Sequence, residues 1–106
     1  MIIVTSETIA NKRIVKTLGL VRGNTVRARH IGKDIMAGLR NIVGGEVHEY
    51  AKLMAESREQ TIDRMVAEAE SLGANAIIAT RFTTSVMMGG AAELLAIGTA
   101  VITEDA

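Results

Sequence analysis

Between residues 46 and 72, apolar side chains return at three- and four-residue intervals: Val47, Tyr50, Ala51, Met54, Ile62, Met65, Val66, Ala69 and Leu72. That is the spacing of one face of an α-helix. The opposite face carries Glu49, Lys52, Glu56, Glu59, Asp63, Glu68 and Glu70, and Gly73 follows where a left-handed residue usually stops a helix. Upstream, Asp34 can cap a short helix over 35–43, with Ile35, Leu39 and Ile42 on one face and Met36 and Val43 widening it. Gly44 ends that helix and Gly45 turns the chain into the next.

The remaining apolar runs read as strands. Residues 2–5 are β-branched and short. Residues 14–22 and 25–29 are strand-like on either side of Gly23-Asn24, which is either a two-residue hairpin turn or a bulge in one bent strand. A strand over 76–84 is expected to turn Ile78 and Phe82 to one face and Ile77, Ala79, Arg81 and Thr83 to the other. After a loop at 86–90, a last strand over 93–103 has Gly98 as a bend or bulge and pairs with 76–84 as an antiparallel hairpin. Residues 104–106 are a solvated tail. The expectation is one α+β domain over 1–106, an antiparallel sheet packed on one long and one short helix.

Helix length changes this picture. About 27 residues span ~40 Å at 1.5 Å each. A compact chain of ~100 residues has a radius of gyration near 13 Å, a sphere of roughly 33 Å diameter. The helix outreaches the body it should cover, so a neighbouring subunit is expected. Composition agrees: 48% of the 106 residues are hydrophobic, Tyr50 and Phe82 are the only large aromatics, and mean hydropathy is +0.25. So much aliphatic material on so small a chain leaves apolar surface over, and such patches mark interfaces.

There is no cysteine, which excludes disulfides, thiolate metal sites and cysteine nucleophiles. No apolar run reaches the ~18 residues of a membrane span. With no signal-like start, a cytoplasmic protein is the expectation. Net charge is zero, yet residues 1–40 hold eight Lys/Arg and two acids (+6), and residues 41–106 four bases and ten acids (−6). The asymmetry admits a nucleic-acid surface. Matched magnitudes, and no aromatics interleaved with the arginines, favour instead a basic sheet edge meeting an acidic helix, within one subunit or between two.

Candidate chemistry is thin. Gly44-Gly45 at a helix start could cradle an anion, but Glu46 and Glu49 in the first turn repel phosphate and satisfy the helix dipole themselves. Glu46, His48 and Glu49 gather two carboxylates and an imidazole within one turn, the first place to look for a metal ion. They lack the four-residue spacing of paired zinc histidines. His30 stands among Arg27, Arg29 and Lys33, which disfavour a cation. Arg27 and Arg29 share one strand face and could line a ring opening, or pair with helix carboxylates, the favoured reading. Met87-Met88 are soft donors for copper(I), better read as interface packing. Arg58 interrupts the apolar stripe between Met54 and Ile62, so a buried guanidinium on Glu46 or Glu93 is expected there. No serine or threonine has a histidine partner by motif.

Gly44-Gly45-Glu46 with Tyr50, Arg58, Arg64-Met65, Leu72-Gly73-Ala74-Asn75-Ala76, Arg81-Phe82 and Gly98-Thr99-Ala100-Val101 resemble the YbjQ family. Thr5-Ser6-Glu7-Thr8 and Leu18-Gly19-Leu20-Val21-Arg22-Gly23 extend the match over nearly the whole chain. The resemblance implies a dodecin-like subunit assembled as pentameric rings, and favours one bent strand over a hairpin at 14–29. The family carries a heavy-metal-binding label, to which this cysteine-free chain can offer only His, carboxylate and Met donors. The leading expectation is a non-enzymatic homo-oligomer, a pentameric ring that binds a ligand, with metal ions one possibility, or scaffolds at a subunit interface. The alternatives are an enzyme with an inter-subunit site of Glu46, Tyr50 and Arg58, and an RNA- or anion-binding ring using the basic first 40 residues.

Overall fold

The computed structural model describes residues 1–27, 48–86 and 92–106, with backbone alone at 48–51. Strand β1 is Ile2–Ile3, β2 Lys12–Arg27, helix α1 His48–Ser71, β3 Ala76–Val86 and β4 Ala92–Asp105. They form one sheet in the order β1-β3-β4-β2, with α1 on one face. The short helix expected over 35–43 lies outside the described residues.

The sheet is mixed rather than antiparallel throughout. β3–β4 and β4–β2 are antiparallel, but β1 runs parallel to β3, with Ile2 opposite Ala76. The segment continues past β1: Val4 N–H donates to the Ile77 carbonyl (3.0 Å), Thr80 N–H to Val4 (3.1 Å) and Ala79 N–H to Ser6 (2.8 Å).

Gly23-Asn24 makes no hairpin. β2 is one 16-residue strand, paired with β4 from Lys12 opposite Asp105 to Arg27 opposite Ala92. Its irregularities fall instead between Ile14 and Lys16 and between Thr17 and Gly19. Gly23 has another use. A Cβ built there would stand 2.3 Å from the Thr61 carbonyl oxygen and 2.5 Å from the Met65 nitrogen, so its hydrogen is what lets α1 lie directly on the strand.

Helix α1 ends in a Schellman motif. Gly73 has φ +86°, its N–H donates to Glu70 O (2.9 Å), and Ala74 N–H donates to Ala69 O (3.1 Å). Asn75 then acts as a clasp on β4: its Oδ1 accepts from Thr103 N–H and its Nδ2 donates to Thr103 O, both at 2.8 Å. The sharp exit from the helix is therefore fixed to the last strand by an amide that mimics a backbone pair.

The core is small: Val21, Met65, Ala69, Ile77, Ala96 and Ala100 are fully buried, with Leu18, Val66 and Ala74 packed against them. The face pattern expected for β3 fails at one point. Between Ile78 and Arg81 the register slips opposite Gly98, with Ala79 at φ +52°, so Phe82 shares the face of Ile77, opposite Ala96, rather than that of Ile78; it is 47% exposed there, while Ile77 and Thr80 are buried. Gly98 itself pairs regularly with Val21, so the bulge belongs to β3.

Gly23→Ala is expected to destabilise the fold by about 3 kcal/mol, because the added methyl meets helix backbone, which cannot rotate away. Urea unfolding of the variant against wild type measures this.

Candidate functional site

The side chains that cross from sheet to helix near the end of β2 are polar. Val21, Gly23 and Thr25 face α1, which answers with Ser57, Thr61, Met65 and Ala69, four residues apart and all fully buried. Thr25 Oγ1 and Thr61 Oγ1 share a hydrogen bond of 3.0 Å, and Thr61 Oγ1 donates to the Ser57 carbonyl at 2.7 Å. Next along the strand, Arg27 Nε donates to Ser57 Oγ (2.7 Å) and its Nη2 to Gln60 Oε1 (3.2 Å). The Thr25, Thr61 and Ser57 hydroxyls each have a partner, so none is orphaned by burial.

Beyond Arg27 the surface opens into a hollow of about 500 Å³ lined by Arg27, Ala55, Glu56, Glu59, Gln60 and Asp63. Three exposed carboxylates stand at three- and four-residue spacing on one helix face, with a single guanidinium beside them. Like charges so placed repel by a few tenths of a kcal/mol per pair. The hollow is wide open, and its described lining offers no nucleophile with a base.

The expected site residues fare differently. Arg58 is exposed. Ser57 and Thr61 occupy the sheet-facing positions instead, because Gly23 and Thr25 leave room there only for small side chains. Glu93, one expected partner of Arg58, accepts instead from Asn24 Nδ2 at 3.2 Å. Arg27 bonds a hydroxyl and an amide rather than the expected helix carboxylates. His48, Glu49 and Tyr50 form the first turn of α1, with backbone alone described, while Glu46, His30, Arg29, Met87 and Met88 lie outside the described residues. The basic edge finds its described acids on β4 rather than on the helix. Lys12 pairs with Asp105 at 2.6 Å and Arg13 with Glu104, as the β2–β4 register puts them opposite each other. The Lys12 hydrogen bond, then its charge, holds the Asp105 carboxyl below its ordinary value. This pair's contribution is present above the ordinary carboxyl range and is lost as pH falls through the lowered pKa.

Sequence reasoning missed the Ser57–Thr61 pair. A signal was present: Ser57, Thr61, Met65 and Ala69 recur every four residues, the spacing of one helix face.

A two-layer α+β fold with a mixed four-stranded sheet and a hydrogen-bonded polar seam is the class these features define. The family whose model matches residues 1–104 is described as "Putative heavy-metal-binding". The chain is 59% identical to a UPF0145 protein of Methanosarcina acetivorans, covering 95% of each chain. It is 54% identical to a UPF0145 protein of Clostridium perfringens over the full length of both. The chain belongs to this YbjQ/UPF0145 family. In fold it is similar to a crystal structure of a DUF74-family protein of unknown function from Pediococcus pentosaceus (TM-score 0.65, 15% identity, 98% of each chain).

The heavy-metal description fits the described residues poorly. Soft ions choose thiolates, and the chain has none. Among the described residues no three His, Asp or Glu side chains converge, and Glu68, Glu93, Glu104 and Asp105 already accept hydrogen bonds.

Thr61→Val is expected to cost about 1–2 kcal/mol, since it strips the buried Thr25 hydroxyl of its closest partner. Arg58→Ala is expected to stay within about 0.5 kcal/mol of wild type. Parallel chemical denaturation of the two variants checks the contrast.

Proposed function

We propose that this chain is a non-enzymatic subunit of a dodecin-like ring, five copies as the family resemblance implies, that binds a ligand or scaffolds at its subunit boundaries. The observation that supports this most is the open part of the sheet's second face. Leu20 (63% exposed), Arg22, Asn24 and Val26 (52% exposed) alternate with the helix-facing residues of β2. Leu95 and Ile97 join them from β4, opposite Asn24 and Arg22. The face is open at this end only: Val101 and Thr103, on the same side of β4, are buried. Apolar side chains in a row next to water favour association.

Shape supports the same reading. The structure measures 54 × 25 × 16 Å with a radius of gyration of 17.2 Å, against the ~13 Å of a compact domain of this size. Two layers are all that its thinnest dimension holds.

Other readings have less behind them. The alternative enzyme of Glu46, Tyr50 and Arg58 has, among the described residues, only the exposed Arg58 side chain to draw on. Ser57 is fully buried and accepts from Arg27, and no base bonds it among the described residues. A nucleic-acid ring would draw on the bases of β2, of which Lys12 and Arg13 are already neutralised across the sheet. A metal version of the proposal rests on Glu46, His48 and Glu49 alone. Among the described residues no helix is long and apolar enough to cross a membrane; the proposal takes a cytoplasmic setting.

Native mass spectrometry of tag-free protein at micromolar concentration is expected to give five times the 11.3 kDa chain mass, or a multiple of that. A sole species at 11.3 kDa contradicts the proposal.

A further inference from the structure

The sheet has two long free edges among the described residues, and they differ in kind. The outer edge of β2 is guarded. It bears Lys12, Arg13, Lys16, Arg22 and Arg27, and its register slips twice. Helix α1 also reaches over it: Arg22 N–H donates to Glu68 Oε2 (3.4 Å), and Arg64 Nη1 donates to the Asn24 carbonyl (2.6 Å). Charge, bulges and capped backbone groups are the devices that stop foreign strands from adding.

The outer edge of β3 has none of them past Arg81. The N-terminal segment bonds it as far as Thr80, whose N–H meets Val4. Phe82-Thr83-Thr84-Ser85-Val86 is uncharged and stays in register with β4 from Arg81 to Val86. Phe82 is 47% and Val86 84% exposed. Strand N–H groups alternate between edges. Thr80 points its N–H outward, so Phe82, Thr84 and Val86 do the same.

We propose that this edge pairs with the same edge of a second copy of the chain, antiparallel, on a two-fold axis through Thr84. The occupant follows from the sequence of the strand. Reversed on itself about Thr84, it sets Phe82 opposite the partner's Val86 and Thr84 opposite the partner's Thr84. Aromatic with β-branched, and threonine with threonine, are favourable cross-strand pairs. No like charges meet. All three outward-pointing residues fall in hydrogen-bonded positions of both strands at once. Such a contact is isologous, whereas a ring closes through head-to-tail contacts, so the two coexist and the β3 edge would join one ring to another. The inference rests on the self-assembly proposed above.

The absence of native cysteine gives a clean test. Thr84→Cys puts one thiol on the axis, about 5.5 Å from its counterpart between Cα atoms, within disulfide reach. Val86→Cys stands four residues, roughly 13 Å, from its own counterpart. Under mild oxidation, Thr84→Cys is expected to run mainly as a covalent dimer on a non-reducing gel, at least ~10-fold more than Val86→Cys. Equal cross-linking of the two, or none by Thr84→Cys while the wild type assembles, overturns this inference and leaves the ring standing. A wild type that is monomeric by light scattering overturns both.

Discussion

Helix α1 can lie on β2 only because position 23 has no side chain. With the Thr61 carbonyl 2.3 Å from where a Cβ would be, the helix backbone comes nearly into contact with the strand. Everything else across that seam must then be small or short. Ser57, Thr61 and Ala69 answer from the helix, Thr25 from β2, Ala96 and Ala100 from β4. Met65 is the largest fully buried side chain. A seam this tight gains close packing and internal hydrogen bonds but hides little apolar area per residue. The aliphatic residues that find no place in it stand on the other face of the sheet. Leu20, Val26, Leu95 and Ile97 are thus the consequence of the same close approach that builds the core.

Much of this was legible in the sequence. The amphipathic period marked α1 to within a residue or two, and Gly73 its end. The last two strands and their antiparallel pairing followed from their spacing, each extending slightly further than alternation suggests. What stayed hidden has physical causes. A glycine-asparagine pair reads the same whether it turns a chain or admits a helix, so Gly23 could not show by itself that β2 runs unbroken. Periodicity also weights bulky apolar residues, so it drew the helix face through Met54, Ile62 and Leu72, and made Arg58 an interruption of it. The real contact line lies a little to one side, through Ser57 and Thr61, whose burial depends on the strand opposite. The slip at Ala79, which moves Phe82 to the face of Ile77, likewise lies opposite Gly98 across the ladder.

The candidate chemistry was less legible because there is little of it. Carboxylates among the described residues serve as partners for Lys12, Arg13, Asn24 and the Arg22 backbone, or repel one another along the outer helix face. Those are the marks of a structural surface. The heavy-metal description of the family meets a chain with no thiol, and the only histidine-carboxylate cluster in the sequence begins at Glu46, outside the described residues. What the geometry does offer is incompleteness: a second sheet face left open around Leu20 and Val26, and, among the described residues, two free edges of which one is guarded.

Small-angle X-ray scattering of the tag-free protein over a dilution series tests that incompleteness most directly. The account predicts a radius of gyration well above the 17.2 Å of one chain, with forward scattering that corresponds to several chains, at all concentrations down to micromolar. A radius near 17 Å with the scattering mass of a single chain would contradict it.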